Sequence, residues 1–137
     1  MKRIFLDANV IFTAAHNPAG KSALLFELAR KGYWELLTSQ LAYEEARRNI
    51  DIKFSGCLPE IDKLIKEIKI IPHTVQSSCP LELPNKDKPI FLAALQGGAT
   101  HLLTGDLTHF GPFMNKAADT KGILIQTVSE FLLSLIE

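Results

Sequence analysis

Two aspartates close two short apolar stretches. Asp7 ends the run Ile4-Phe5-Leu6, and Asp106 ends His101-Leu102-Leu103-Thr104-Gly105. A carboxylate at the end of a buried strand needs a reason. In an open α/β sheet ligands bind outside the carboxyl ends of the strands, so parallel strands would bring both acids to one edge. Two anions held together there raise each other's pKa unless a cation lies between them, and the economical cation is a divalent metal. Glu44 and Glu45, in TSQLAYEEARRN, and Asp87, just before the helix start Lys88-Pro89, supply further acids.

Neighbours in a helix lie about 100° apart around the axis, so only one of Glu44 and Glu45 can face a given point. Ala42, Glu45, Ala46 and Asn49 share a face small enough to pack on a sheet, which makes Glu45 the inward acid and Glu44 the solvent one; a one-residue shift in helix start reverses the two. Taken singly, each acid has a structural reading. Asp7 can bond a following turn, Glu45 can be a solvated helical charge, Asp87 an N-cap and Asp106 an Asx-turn. Their coincidence at two strand ends and two helices is what points to a metal.

The elements that must position them follow from periodicity and punctuation. Residues 3–7 read as a strand, and SALLFELARKG as a helix with Ser22 as N-cap and Gly32 past its end. Residues 34–38 form a second strand, and Ser39 caps a helix to about Ile50. Ile61, Leu64, Ile65 and Ile68 lie on one buried face of a helix over 59–69, overlapped by an extended IKII that Pro72 ends. The Ser- and Pro-containing segment 73–85 reads as a long loop, a frequent location of function. Pro89 suits the first turn of a helix that stops at Gly97-Gly98. HLLTGD (101–106) and ILIQT (123–127) are strands, and Thr127 with Glu130 forms a capping box for a last helix. Alternating strands and helices predict a three-layer α/β/α domain with a mainly parallel sheet.

The 137 residues are expected to form a single domain, 1–137, able to bury roughly two thirds of its unfolded surface without disulfide or structural metal. Hydrophobic residues at 47% and charged residues at 22% fit an ordinary globular chain, and Lys plus Arg equals Asp plus Glu, which argues against an extensive basic surface. No signal peptide or membrane-spanning run is apparent, so a cytoplasmic location is expected. Cys57 and Cys79 read as free thiols.

The stretches FLDANVIF, TSQLAYEEARRN, NKDKPIFLAALQGGATHLLTGD and ILIQTVSEFL together resemble the PIN domain family over nearly the whole chain. LDANV and HLLTGD are the more specific pieces. The resemblance implies a PIN-like fold and a divalent-metal-dependent endoribonuclease. It also implies kinship with the VapC-type toxins of toxin–antitoxin pairs, with RNA as substrate, an antitoxin partner and a homodimer. It identifies Asp7, Glu45, Asp87 and Asp106 with the family's acidic quartet, and Asn9 and Thr104 with supporting polar positions. Where some relatives carry another acid after the last aspartate, this chain has His109.

Oxygen ligands without cysteine or paired histidines favour Mg²⁺ or Mn²⁺ over zinc. The expected reaction is phosphodiester hydrolysis by metal-activated water, with Asp7 and Asp106 as main ligands and Glu45 and Asp87 positioning a second metal or its waters, or orienting the attacking water. Lys86, Lys88, Arg47, Arg48 and Lys116 are candidate RNA-backbone contacts, and His109 a candidate contact to phosphate or metal-bound water. His16, His73 and His101 have no partner at ligand spacing. Phe110, Phe113 and Met114, around a Gly-Pro turn, are either a loop packed on itself or part of an interface. An aspartate-nucleophile phosphatase would need an acid where this chain has Asn9, and a silent PIN-like RNA- or protein-binding module would have no reason to keep four costly carboxylates.

Overall fold

The computed structural model describes residues 1–72 and 78–136. Its centre is a five-stranded sheet in the order β3-β2-β1-β4-β5. The strands are β1 (Lys2–Leu6), β2 (Trp34–Ser39), β3 (Lys69–Ile71), β4 (His101–Leu103) and β5 (Leu124–Gln126). Every pairing is parallel. Ile4, Phe5 and Leu6 are all fully buried, as a central strand covered on both faces requires.

Side-chain alternation along β1 and β2 assigns the helices to layers. Trp34 points to one face, where its indole N–H donates to the Leu25 carbonyl of α2 (Lys21–Arg30) and its ring meets Phe131 of α7 (Val128–Ser134) edge-on. Arg3 and Glu35 point to the other, where the Arg3 guanidinium donates to the Gly97 carbonyl just past α5 (Lys88–Gln96). Helix α1 (Ala8–His16) packs on α2, α3 (Gln40–Lys53) and α4 (Leu58–Leu64). The result is the three-layer α/β fold expected.

Helix starts match the sequence expectation at Ser39 and Thr127, both expected caps, and depart from it at Asp7 and Asp106, whose helices are additional. Asp7, Ser39, Asp106 and Thr127 stand at or just beyond strand ends, and each side chain accepts a backbone N–H of the helix that follows. Four of the five strands, β1, β2, β4 and β5, therefore lead into a helix capped by a side chain. Two of those helices, α1 and the four-residue α6 (Leu107–Phe110), were not anticipated. The assignment of Ser22 as N-cap is corrected: Gly20 holds that position, and Ser22 is buried inside the first turn. The helix expected over 59–69 stops at Leu64, continues as a 3-10 turn over Ile65–Glu67, and gives way to β3. The segment 73–77 of the expected loop lies outside the described residues; from 78 to 85 the chain forms neither helix nor strand, while Leu81 and Leu83 are buried. Phe110 is fully buried, with Phe113 and Met114 packed against the core around it. Cys57 and Cys79 are free.

Candidate active site

The register of β1 beside β4 builds the site. Leu6 pairs with Leu103, and the Asp7 N–H extends the ladder by donating to the Leu103 carbonyl at 3.1 Å. Asp7 and Thr104 therefore leave the sheet side by side. The Thr104 hydroxyl donates to Asp7 Oδ2 at 2.8 Å while Asp7 Oδ1 accepts the Ala8 N–H, also at 2.8 Å. Asn9 completes the link: its amide N–H lies 3.4 Å from Asp7 Oδ2 and 3.3 Å from Thr104 Oγ1, and its carbonyl oxygen accepts the Gly105 N–H at 2.7 Å. A Cβ at position 105 would stand 3.3 Å from that oxygen, so glycine suits the close approach. The two supporting residues named from the sequence thus bridge the two strand ends.

Asp7 is only 6% exposed. Burial pushes its carboxyl up to about 6; the hydrogen bonds from Thr104 and Ala8 oppose the shift, and repulsion from Glu45 and Asp87 adds to it. Glu45 is thus the member of the glutamate pair coupled to Asp7, although both glutamates are exposed on α3. Asp87 stands at the N-cap position of α5 without capping it. Its residue is 7% exposed, its Oδ2 is buried with no hydrogen-bond donor, and burial raises its pKa, against the pull of His109 and Lys86.

Asp106 faces Asp87 across His109. Asp106 Oδ1 caps α6 by accepting the His109 N–H, while its Oδ2 lies 2.8 Å from His109 Nδ1. The same nitrogen is 3.0 Å from Asp87 Oδ2, a charge-pair distance without hydrogen-bond alignment. Asp87, Asp106 and His109 each offer a ligand atom within 4.8 Å of the others, the one such group among the described residues. Asp7 and Glu45 stand outside it; Asp7 feels the charges of both Asp87 and Glu45. The pairing of Asp106 with His109 was missed in the sequence because it depends on the unanticipated α6. A buried carboxylate oxygen without a donor, an aspartate beside it and an imidazole between them fit a divalent cation in donor chemistry.

The expected basic residues divide. Lys86 is exposed next to Asp87, Lys88 is half-buried at the start of α5, and Arg48 and Lys116 are exposed. The Arg47 guanidinium is already engaged by both oxygens of Asp62, at 3.0 and 3.1 Å, and the Tyr43 hydroxyl donates to the same carboxylate. His101 sits beside the Thr100 hydroxyl and edge-on to Phe131, where burial lowers its pKa. His16 stacks on Phe54. His73 lies outside the described residues.

A parallel sheet ordered 3-2-1-4-5, with helices on both faces and acids at the carboxyl edge of its two central strands, defines a PIN-like architecture. Solved structures bear the same fold. A VapBC2 structure from Rickettsia felis, bound to a DNA fragment from its promoter, contains a chain 15% identical over 91% of this chain and 98% of its own, with a TM-score of 0.64. PAE2754 from Pyrobaculum aerophilum is 16% identical over 98% and 90%, TM-score 0.62. Mycobacterium tuberculosis VapC20, described as a sarcin-ricin loop cleaving toxin, is 11% identical over 77% and 92%, TM-score 0.53. The chain therefore has a VapC-like PIN fold. No protein-family model and no curated protein sequence matches it. Among the described residues no helix is long and apolar enough to cross a membrane.

Proposed function

We propose that this protein is a divalent-metal-dependent endoribonuclease, with Asp7, Glu45, Asp87 and Asp106 as the residues that hold the cation and carry the reaction. The observation that carries this reading is the buried oxygen of Asp87, without a hydrogen-bond donor and facing Asp106 at the carboxyl edge of a PIN-like sheet. A Mg²⁺ or Mn²⁺ ion there supplies Lewis-acid chemistry toward a phosphodiester.

The chain's own groups do the rest. Thr104 and Asn9 fix the Asp7 carboxylate in one orientation at the edge of the sheet. Glu45, exposed and coupled to Asp7, orients water from the α3 side. Hydrolysis adds one water across one P–O bond, the hydroxyl going to phosphorus and the proton to the leaving oxygen. Lys86 and Lys88 offer the RNA backbone positive charge beside Asp87. The fold supports a protein of the VapC kind: a single cytoplasmic domain, acting as a homodimer and inhibited by an antitoxin partner.

Cleavage of a mixed RNA pool with Mg²⁺, with Mn²⁺ and with chelator, beside Asp7→Asn prepared identically, tests the activity. Metal-dependent cutting lost in the variant supports it; identical behaviour of the two proteins overturns it. Growth arrest on expression, relieved by the product of the adjacent reading frame, tests the toxin–antitoxin part.

A further inference from the structure

We infer that His109 is itself a metal ligand, so that Asp87, Asp106 and His109 form a mixed nitrogen–oxygen site selecting Mn²⁺ over Mg²⁺. The inference rests on the reading of this cleft as a cation site and adds a ligand and a preference to it.

The backbone fixes the imidazole. Asp106 caps α6 through Oδ1, which places the His109 backbone N–H 3.1 Å from that oxygen and the ring on the same side as Oδ2. Phe110, fully buried, anchors the short helix from below. His109 Nδ1 is consequently held 2.8 Å from one carboxylate oxygen and 3.0 Å from another that come from different elements. Local helix geometry explains the first contact, since Asp106 and His109 are three residues apart. It does not explain the second.

Asp87 supplies the independent observation. Its side chain is 10% exposed, and its Oδ2 is buried, without a donor and aimed at His109 Nδ1. A buried anionic oxygen left without a hydrogen bond is costly, and a cation bound beside it removes that cost. A proton on Nδ1 and a divalent ion serve the same two oxygens, and the ion serves all three ligand atoms together.

The donor set decides which ion. Mg²⁺ takes oxygen ligands in near-ideal octahedral geometry and keeps its waters. Imidazole suits zinc, copper, iron and nickel, and Mn²⁺, which shares the carboxylate and water ligands of Mg²⁺, is a first-row transition ion that accepts one nitrogen at less cost than Mg²⁺ does. Replacing a carboxylate oxygen by Nδ1 therefore weakens Mg²⁺ relative to Mn²⁺.

The test uses the full-length protein, His109→Asn and His109→Asp, each checked by circular dichroism, with MnCl₂ and MgCl₂ as probes. Expected are Mn²⁺ affinity on the order of tenfold or more above Mg²⁺ by calorimetry, and electron-spin-echo modulation from a directly bound ¹⁴N. In His109→Asn the modulation disappears and the preference collapses; in His109→Asp the preference shifts toward Mg²⁺. Mn²⁺ bound without ¹⁴N modulation overturns the inference, as does an unchanged preference in both variants. Nitrogen-coordinated Mn²⁺ in a protein that cuts no RNA defeats the nuclease reading and leaves the ligand assignment standing. Metal-dependent cleavage with no nitrogen on Mn²⁺ does the reverse.

Discussion

Thr104 Oγ1 donates to Asp7 Oδ2 at 2.8 Å and so joins two residues 97 positions apart in sequence. The same hydroxyl lies 3.0 Å from the Asp106 N–H that it accepts. One fully buried side chain thus fixes both strand-end aspartates. Thr104→Val keeps the shape and removes these bonds, so it should cost about 1–3 kcal/mol in urea unfolding and most of the cleavage rate. Thr104→Ser should recover most of both. Equal losses in Val and Ser would point to packing of the methyl group instead.

Lys86 and Arg47 should contribute differently to RNA binding. Lys86 is exposed beside Asp87, whereas Arg47 is occupied by Asp62. Each phosphate contact to a single strand contributes about 0.7 to the slope of log affinity against log salt. Lys86→Gln should lower that slope by about this amount, and Arg47→Gln should leave it unchanged. Fluorescence anisotropy with labelled RNA at several salt concentrations distinguishes them; a flat response to both changes removes Lys86 from the interface.

The alternation of elements made the α/β fold legible in the sequence, and the strand-end position of Asp7 and Asp106 made the edge of the site legible with it. Helix α1 went unread because it follows the apolar strand Ile4-Phe5-Leu6 with only Asp7 between them, although Val10, Ile11, Ala14 and Ala15 fall at helical spacing on one buried face. The signal that could have found it is the Asp7 cap itself. Helix α6 is too short for any periodic pattern, and with it went the approach of His109 to Asp106. Between Glu44 and Glu45 the register argument favoured Glu45 as the inward acid; both are exposed on α3, and of the two it is Glu45 whose charge acts on Asp7. What no sequence pattern reports is partner occupancy: Asp62 takes Arg47, while nothing donates to Asp87 Oδ2.

Cation binding should stabilise the fold as well as enable cleavage. Burial, with repulsion from Glu45 and Asp87 on Asp7 and from Asp106 on Asp87, raises the pKa of both aspartates, so the folded protein holds these anions at a cost. An ion that binds only the folded state adds about 2.7 kcal/mol at a hundredfold excess over its Kd. Thermal unfolding should shift upward with Mn²⁺, return with EDTA, and not respond in Asp87→Asn or Asp106→Asn. A shift that survives in both variants would place the ion elsewhere.

The titration of Asp7 gives a signed prediction for the metal-free protein. Its carboxyl sits at about 6 in the fold against 3.8 in an exposed state, so the folded form binds the proton more tightly than the unfolded chain. That contribution to stability is fully present below the lower value and is lost as pH rises through the upper one. About two pKa units correspond to about 3 kcal/mol. Asp7→Asn cannot titrate, and asparagine remains a good N-cap for α1. Its amide N–H, however, faces the Thr104 hydroxyl that donates to Asp7 Oδ2 in the parent. The variant should therefore be the less stable protein at about pH 4 and gain on the parent by up to about 3 kcal/mol toward about pH 8. Urea unfolding in EDTA across that range reads the difference directly; two parallel curves would mean that burial does not hold the proton on Asp7.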